Sequence, residues 1–369
     1  MKRTLPVLLC LCLLLSGCAG GGDETLPSTG QTTAPTTQAT ETTAETTVET
    51  TVETTAPSIV YRHPLTGAPL EEAFTGRITS VVIDNIREAM PQYGISNADI
   101  LYEIETEGGI TRCLAIFTDF TETESLGPVR SARSYFNNVS VAYDATIIHC
   151  GGSVPGINGH YSDNGQKISN WAHINEQNNG SYFFRDQERI RNGYNSWDCL
   201  FTSGKKMIAA LAAKGYDTPY ESGIDLGLSF ADELDLKGET AQKVTVKFLG
   251  SKTTTMTYAP DTGLYEAEQY GKSHVDAGTG ETMAYRNVLV LQTKQWKIND
   301  GTYYRSFYTL IGSGSGYFAC GGKIVPIKWS RETLNDPFSY TLEDGTPLTL
   351  GAGKTYVGVV SANVPLAYN

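Results

Sequence analysis

ADILYEIETEGGITRCLAIFTDF, residues 98–120, is a pair of β-rich runs around the dipeptide Gly108-Gly109. Two glycines between strand-like runs predict a hairpin closed by a two-residue turn. With that turn Glu107 faces Ile110, Glu105 faces Arg112 and Glu103 faces Leu114. Side chains alternate along a strand with period two, so Glu103, Glu105, Glu107 and Arg112 share one face. Three carboxylates with a single arginine among them call for further cations.

The next stretch offers two. GPVRSARSYF, residues 127–136, carries Arg130 and Arg133 after a Gly-Pro pair. Residues 131–143 are expected to be helical, with the helix starting just after Pro128, which makes the two arginines i, i+3 neighbours. Their partners are either the surplus carboxylates of the hairpin, in an internal ion-pair network, or an anionic ligand held by two guanidinium forks and a helix N-terminus.

The flanking segments have the alternation of strand and helix. ITSVVIDN (78–85) is an apolar run ending in the polar pair Asp84-Asn85, and ATIIHCGGS (145–153) is a strand and loop carrying His149. Thr202 or Ser203 caps a helix over 204–214 that Gly215 ends. If the two strands run side by side, their ends place Asp84, Asn85 and the Gly151-Gly152-Ser153 loop where α/β sheets commonly bind ligands. Glu103, Glu107, Arg112, Arg130, Arg133 and His149 are therefore expected to converge on one concave region, with Asp84 and Asn85 at its rim.

From about residue 240 the pattern changes to short strands separated by Gly-rich turns. Some 310 residues exceed what one core usually supports. The expected fold class is α+β: a layered α/β domain with a mixed sheet over 59–238, then a smaller β-rich domain over 239–369.

The first 17 residues pair Lys2 and Arg3 with a leucine-rich run from Leu5 to Leu15. Such a run is too short for a span of about 20 residues, so it is expected to be an export signal. Leu15-Ser16-Gly17-Cys18 resembles the lipobox of bacterial lipoproteins, which makes Cys18 the expected lipidation site and mature first residue. Residues 19–57 are mostly Thr, Glu, Ala, Gly, Pro, Gln and Val, including TTVETTVETT. This composition buries too little apolar surface to order itself, and reads as a tether extending away from the membrane. The expected location is the outer face of the cytoplasmic membrane.

The whole chain carries a formal −12; with Lys2, Arg3 and the six tether acids set aside, residues 58–369 carry −8. An acidic balance argues against nucleic acid as a partner. Beyond Cys18 the cysteines are Cys113, Cys150, Cys199 and Cys320, without a CxxC pair, and buried free thiols are expected.

VVIDN, SNADILYEIETEGGITR, GPVRSARSYF, IIHCGGS, YFFRD and LFTSG are followed by KSHVDAGTG, YRNVLVLQT, GSGSGYFACGGKIVPIKW and LGAGKTYVGVV. In this order they resemble the YerB family of bacterial lipoproteins, described by two paired domains of unknown function. The resemblance runs from about Tyr61 to the C-terminus. It implies an α/β domain followed by a smaller β-rich one on a lipid-anchored protein outside the cell, and brings no established activity. Matching positions are Asp84, Asn85, Glu103, Glu107, Arg112, Arg130, Arg133, His149, Gly151, Gly152, Ser153, Arg185, His274, Asp276 and Trp329. Glu105 and Cys150 depart from the family pattern.

The catalytic alternatives lack a complete set of groups. His149 and Cys150, adjacent in a strand, point to opposite faces and cannot act as base and nucleophile together. A carboxylate-pair hydrolase acting on wall polymer needs one acid kept protonated, whereas nearby arginines favour the ionised form. His274-Val275-Asp276 offers two ligands on one face of a strand, too few for a metal. The Gly-rich stretches lack phosphate-loop spacing, so no cofactor is expected. The reading favoured is a non-catalytic binding or accessory protein of the cell envelope, with a cell-wall component or an envelope protein as partner. The alternatives are the hydrolase and a structural accessory whose charged cluster only holds the fold.

Overall fold

β-branched and aromatic residues dominate ILYEIE (100–105) and TYVGVVS (355–361), and every residue of both segments is buried. Apolar runs of this kind suit strands covered on both faces. The computed structural model describes residues 61–153, 172–220, 224, 226–299 and 304–369; the export signal, Cys18 and the tether lie outside the described residues.

The N-terminal part contains strands Thr79–Asp84 (β1), Ile100–Glu105 (β2) and Thr111–Phe117 (β3), then helix Ser134–Ala142 (α1). Strands Thr146–His149 (β4) and His173–Asn175 (β5) and helix Gly204–Lys214 (α2) follow. The C-terminal part is built on Lys243–Lys247 (β6), Thr253–Ala259 (β7), Leu264–Gln269 (β8), Asn287–Thr293 (β9), Gly312–Cys320 (β10), Lys323–Arg331 (β11) and Thr355–Ser361 (β12).

The fold is α+β, a mixed-sheet N-terminal domain followed by a β-rich C-terminal one, and the two share a sheet. Among the described residues it has eleven strands, with the main order β11-β10-β9-β12-β2-β3-β1-β4-β5. The seam is parallel, Thr355 of β12 lying opposite Ile100 of β2 and Val359 opposite Ile104. One face carries α1, whose Tyr135, Phe136 and Val139 pack with Tyr102, Ile104 and Leu114. The other carries α2 and the second sheet β6–β8, with Met207, Leu211, Val244 and Met256 grouped with Leu101, Cys113 and Ala115. Helix α2 spans the expected residues, with Ser203 as its cap and Gly215 in the left-handed conformation at φ 66°.

Two expectations fail locally. The hairpin turn is a three-residue loop: Thr106 N–H donates to Ile110 O at 2.7 Å, and Glu103 pairs with Cys113, Ile104 with Arg112 and Glu105 with Thr111. Both glycines are left-handed, and a Cβ on Gly109 would lie 3.0 Å from Gly250 Cα, so the loop also serves as a close contact with the C-terminal domain. The second failure is the start of α1. Arg133 is its N-cap, at φ −131° and ψ 161°, and the helix begins at Ser134, so Arg130 and Arg133 are not helical neighbours.

Tertiary pairing explains the shorter helix. β1 and β4 pair in parallel only through Val81–Ile148. Beyond that point residues 128–132 enter between them: Asp84 N–H donates to Pro128 O, Arg130 N–H to Val82 O, Cys150 N–H to Arg130 O and Ala132 N–H to Gly151 O. The backbone of this wedge is satisfied as an extended strip, which removes the drive to coil.

Candidate functional site

The one-residue shift in the hairpin separates Glu103 and Glu105 from Arg112, because a slip of one exchanges the faces of a strand. Glu103 stands with Cys113 and Ile83 on the face covered by the second sheet; Arg112 stands with Asp84 on the α1 face. The single shared cluster expected from the sequence is therefore two clusters on opposite sides of the sheet.

Glu103 is 2% exposed and saturated. Its Oε1 accepts from Asn85 Nδ2 at 2.8 Å and Thr111 Oγ1 at 2.7 Å, and its Oε2 from Thr254 Oγ1 at 2.7 Å and Tyr356 OH at 2.8 Å. Lys252 Nζ lies 3.4 Å from Oε1. Burial alone would raise this carboxyl, but Lys252 and the three hydroxyl donors outweigh it and hold Glu103 below the usual range. An ionised carboxylate with its lone pairs occupied is a structural junction of the two domains, not a proton donor.

On the α1 face the wedge places Arg130 Nε 2.7 Å from Oδ2 of the fully buried Asp84. The contact is one of charge: among the described residues neither Asp84 oxygen receives a well-aligned hydrogen bond. Arg112 is 5% exposed and donates through Nη1 to Ser131 O at 2.8 Å. Burial, then the charges of Arg133 and Arg130, lower its pKa to about 9. Asp198, wholly buried, is pushed up by burial and by the charge of Asp84. Arg130 keeps 21% of its side chain exposed, and among the described residues its terminal nitrogens make no hydrogen bond.

Arg133 has a different fate. Its Nε and Nη2 fork onto Glu107 at 2.9 and 2.7 Å, and Nη1 donates to Ala132 O. Arg305 adds a 3.6 Å contact to the same carboxylate. Burial raises Glu107, yet the hydrogen bonds and charge of Arg133 leave it below the usual range. One arginine of the pair is thus matched inside the fold, and the other is presented at the surface.

His149 ends β4 buried, with Nδ1 2.7 Å from Gly151 O and its ring stacked 5.5 Å from His173. Ser153 is 2% exposed, and among the described residues its Oγ has no hydrogen-bond partner. Arg185 lies on an exposed strand, its Nη1 donating to Ser196 O at 2.6 Å. Cys150 donates to Glu176, and burial followed by that carboxylate's charge pushes its thiol up to about 12, far from a nucleophile. All four cysteines beyond Cys18 are unpaired.

His274 and Asp276 share a face, as expected, but fasten one segment to another. Asp276 accepts from the backbone N–H groups of Gly94 at 3.0 Å, Ser96 at 2.7 Å and Gly278 at 2.7 Å. His274 Nε2 lies 2.5 Å from Gln92 Oε1, while Gln92 Nε2 donates to Asp84 O and Asn85 Oδ1. No group of three or more potential metal ligands occurs among the described residues. Asp198, Lys252 and Tyr356 escape sequence reading because they meet their partners only through the tertiary fold.

Burial, then the charge of Lys252, lowers His274 from 6.5 to about 4. The unfolded chain therefore takes up this proton first as pH falls, and stability present above pH 6.5 should decline by ~3 kcal/mol towards pH 4. Urea unfolding at stepped pH is expected to show a shallower decline in His274→Gln between pH 6.5 and 5. Parallel profiles would show that His274 titrates normally in the fold.

Residues 65–217 match the family described as "Protein of unknown function (DUF3048) N-terminal domain", and residues 244–357 match its C-terminal domain. "Putative lipoprotein YerB" of Bacillus subtilis is 30% identical over 304 residues, 80% of this chain and 85% of that protein. The crystal structure of YerB from Bacillus subtilis has a TM-score of 0.69 and 27% identity, covering 83% of this chain and 99% of that one.

Proposed function

The chain belongs to the DUF3048 family, and on that footing we propose that it is a lipid-anchored, non-catalytic protein of the cell envelope that binds an anionic partner at Arg130. The observation that carries the reading is Arg130 itself. Its backbone is pinned in the sheet by hydrogen bonds on both sides, its Nε lies on a buried carboxylate, and its terminal nitrogens meet no acceptor among the described residues. A guanidinium held in this way is preorganised for a carboxylate or phosphate. Trp197, next to Asp198 in the chain, is 55% exposed and offers an aromatic face suited to sugar, which favours an acidic wall polymer. The buried, low-pKa Glu103 and the inert thiol of Cys150 speak against the hydrolase alternative.

The motif at Cys18 and the similarity to a putative lipoprotein support the anchor, and no helix among the described residues is long and apolar enough to cross a membrane. One experiment tests both parts. Wild type, Cys18→Ser and Arg130→Ala are expressed in the native host; Cys18→Ser should leave the membrane fraction. The soluble form carrying Arg130→Ala should lose at least tenfold in cosedimentation with isolated cell wall while remaining folded. Membrane retention of Cys18→Ser would overturn the anchor, and undiminished cosedimentation the role of Arg130.

A further inference from the structure

On the Glu103 side of the sheet, away from Arg130, both domains line an open pocket of about 400 Å³ that the proposed function does not use. Its size suits a small ligand. Arg87, Met90 and Pro91 come to it from the N-terminal domain, and the turn 269–275 from the C-terminal one.

That turn is built at a cost. Tyr270 and Gly271 join Gln269 to Lys272 as a two-residue hairpin connection, and both have positive φ, 56° and 73°. Asn, Asp or Gly is the usual first residue there, and a bulky residue in the left-handed region is strained. The strain places an aromatic ring in the cavity wall, with Tyr270 OH donating to Asn85 O at 2.6 Å and Arg87 4.9 Å from the ring centroid.

The lining has three kinds of chemistry. Arg87 and Lys272 supply positive charge at exposed positions, and the carboxylates of Glu103, Glu88 and Asp84 act on the neighbouring Tyr270. Met90, Pro91, Val275 and the Tyr270 ring are apolar, and Val275 is left 37% exposed. The third kind is amide-matching. Gln269 is 5% exposed; its Oε1 holds Lys252, and among the described residues its Nε2 has no acceptor. Gln92 is oriented by its two acceptors, so His274 donates through Nε2 and keeps Nδ1 as an acceptor, and burial keeps this ring neutral.

We propose that this cavity binds a carboxylate carrying an apolar group next to an amide, the chemistry shared by N-acylated amino acids and the carboxyl end of a peptide. The carboxylate goes to Arg87 and Lys272, the amide to Gln269 and His274, and the apolar group to Met90 and Val275.

Calorimetry and protein-observed NMR on the chain made soluble by Cys18→Ser, using N-acetyl-alanine of either hand and its methyl ester, test this. The free acid should bind in the millimolar range or better, and the ester at least tenfold more weakly. A hexapeptide ending in alanine, compared with its C-terminal amide, separates the sources: tighter binding of the free hexapeptide than of N-acetyl-alanine marks a peptide end, equal or weaker binding a small acid. Arg87→Ala with Lys272→Ala should reduce binding at least tenfold at unchanged melting temperature, and Tyr270→Gly should weaken binding while leaving the melting temperature equal or higher. Absence of binding by every acid, equal binding of acid and ester, or full binding by the double variant would each overturn the proposal, and none of these bears on Arg130.

Discussion

Glu103→Ala is expected to lower the unfolding free energy by about 3–5 kcal/mol, because it leaves Lys252 charged and unpaired in the interior. Lys252 is 3% exposed, and its remaining neighbours, Thr254 and Gln269, are neutral. Asn85, Thr254 and Tyr356 would each lose an acceptor as well. Glu103→Gln keeps part of the hydrogen bonding and should cost less than Glu103→Ala. The double substitution Glu103→Leu with Lys252→Met removes both charges, and a buried pair replaced by apolar groups often costs little, so it should regain most of the loss. Urea unfolding of the four proteins gives the comparison. A Glu103→Ala loss below about 1 kcal/mol would mean that water reaches the junction and that the ion pair is not buried in solution.

Because the Glu103 network joins Asn85 and Thr111 to Thr254 and Tyr356, this loss should be felt by both domains in one transition. Two-step unfolding of Glu103→Ala beside one-step unfolding of the wild type would locate the coupling at this carboxylate. The shared sheet still connects the domains through the β2–β12 seam.

What could be read from the sequence was local. The apolar run before Asp84, the Ser203 cap and the Gly215 stop each act within a few residues, and β1 and α2 lie where these signals place them. The hairpin was legible as a hairpin, but its register was not. Gly108-Gly109 fits a two-residue turn, whereas Thr106 and Ile110 close a three-residue loop whose second glycine meets Gly250, 141 positions along the chain by their numbers. That one residue decided which charges share a face. The wedge was illegible for the same kind of reason: residues 129–132 have no strand pattern, and they are extended because β1 and β4 part after Val81 and leave backbone groups to satisfy. Arg130, Arg133 and Asp84 were found by residue type; their division into a matched pair and a presented guanidinium depends on contacts no spacing encodes.

The wedge also sets the second large effect. Asp84→Ala should cost about 3–5 kcal/mol, since the nearest compensating charge for a buried Arg112 disappears. Arg112 sits directly opposite Asp84 in the β1–β3 register and donates one hydrogen bond, to Ser131 O. Among the described residues its Nε has no hydrogen-bond partner, and Arg130 and Arg133 already press on it with like charge. Without Asp84 three guanidinium groups surround a site where, among the described residues, the adjacent acids are Glu107, which Arg133 occupies, and Asp198, which burial still holds up once the charge of Asp84 is gone. Arg130→Ala, by contrast, leaves Asp84 facing Arg112 and should cost less, because one charge of each sign remains. The expected order in urea unfolding is therefore Asp84→Ala well below Arg130→Ala, and Arg130→Ala below wild type. Adding Arg112→Met to Asp84→Leu should recover much of the loss by emptying the site of charge. The reverse order, with Arg130→Ala the more damaging, would show that Arg130 is the principal counter-charge of Asp84, and would move it from the presented surface into the structural framework.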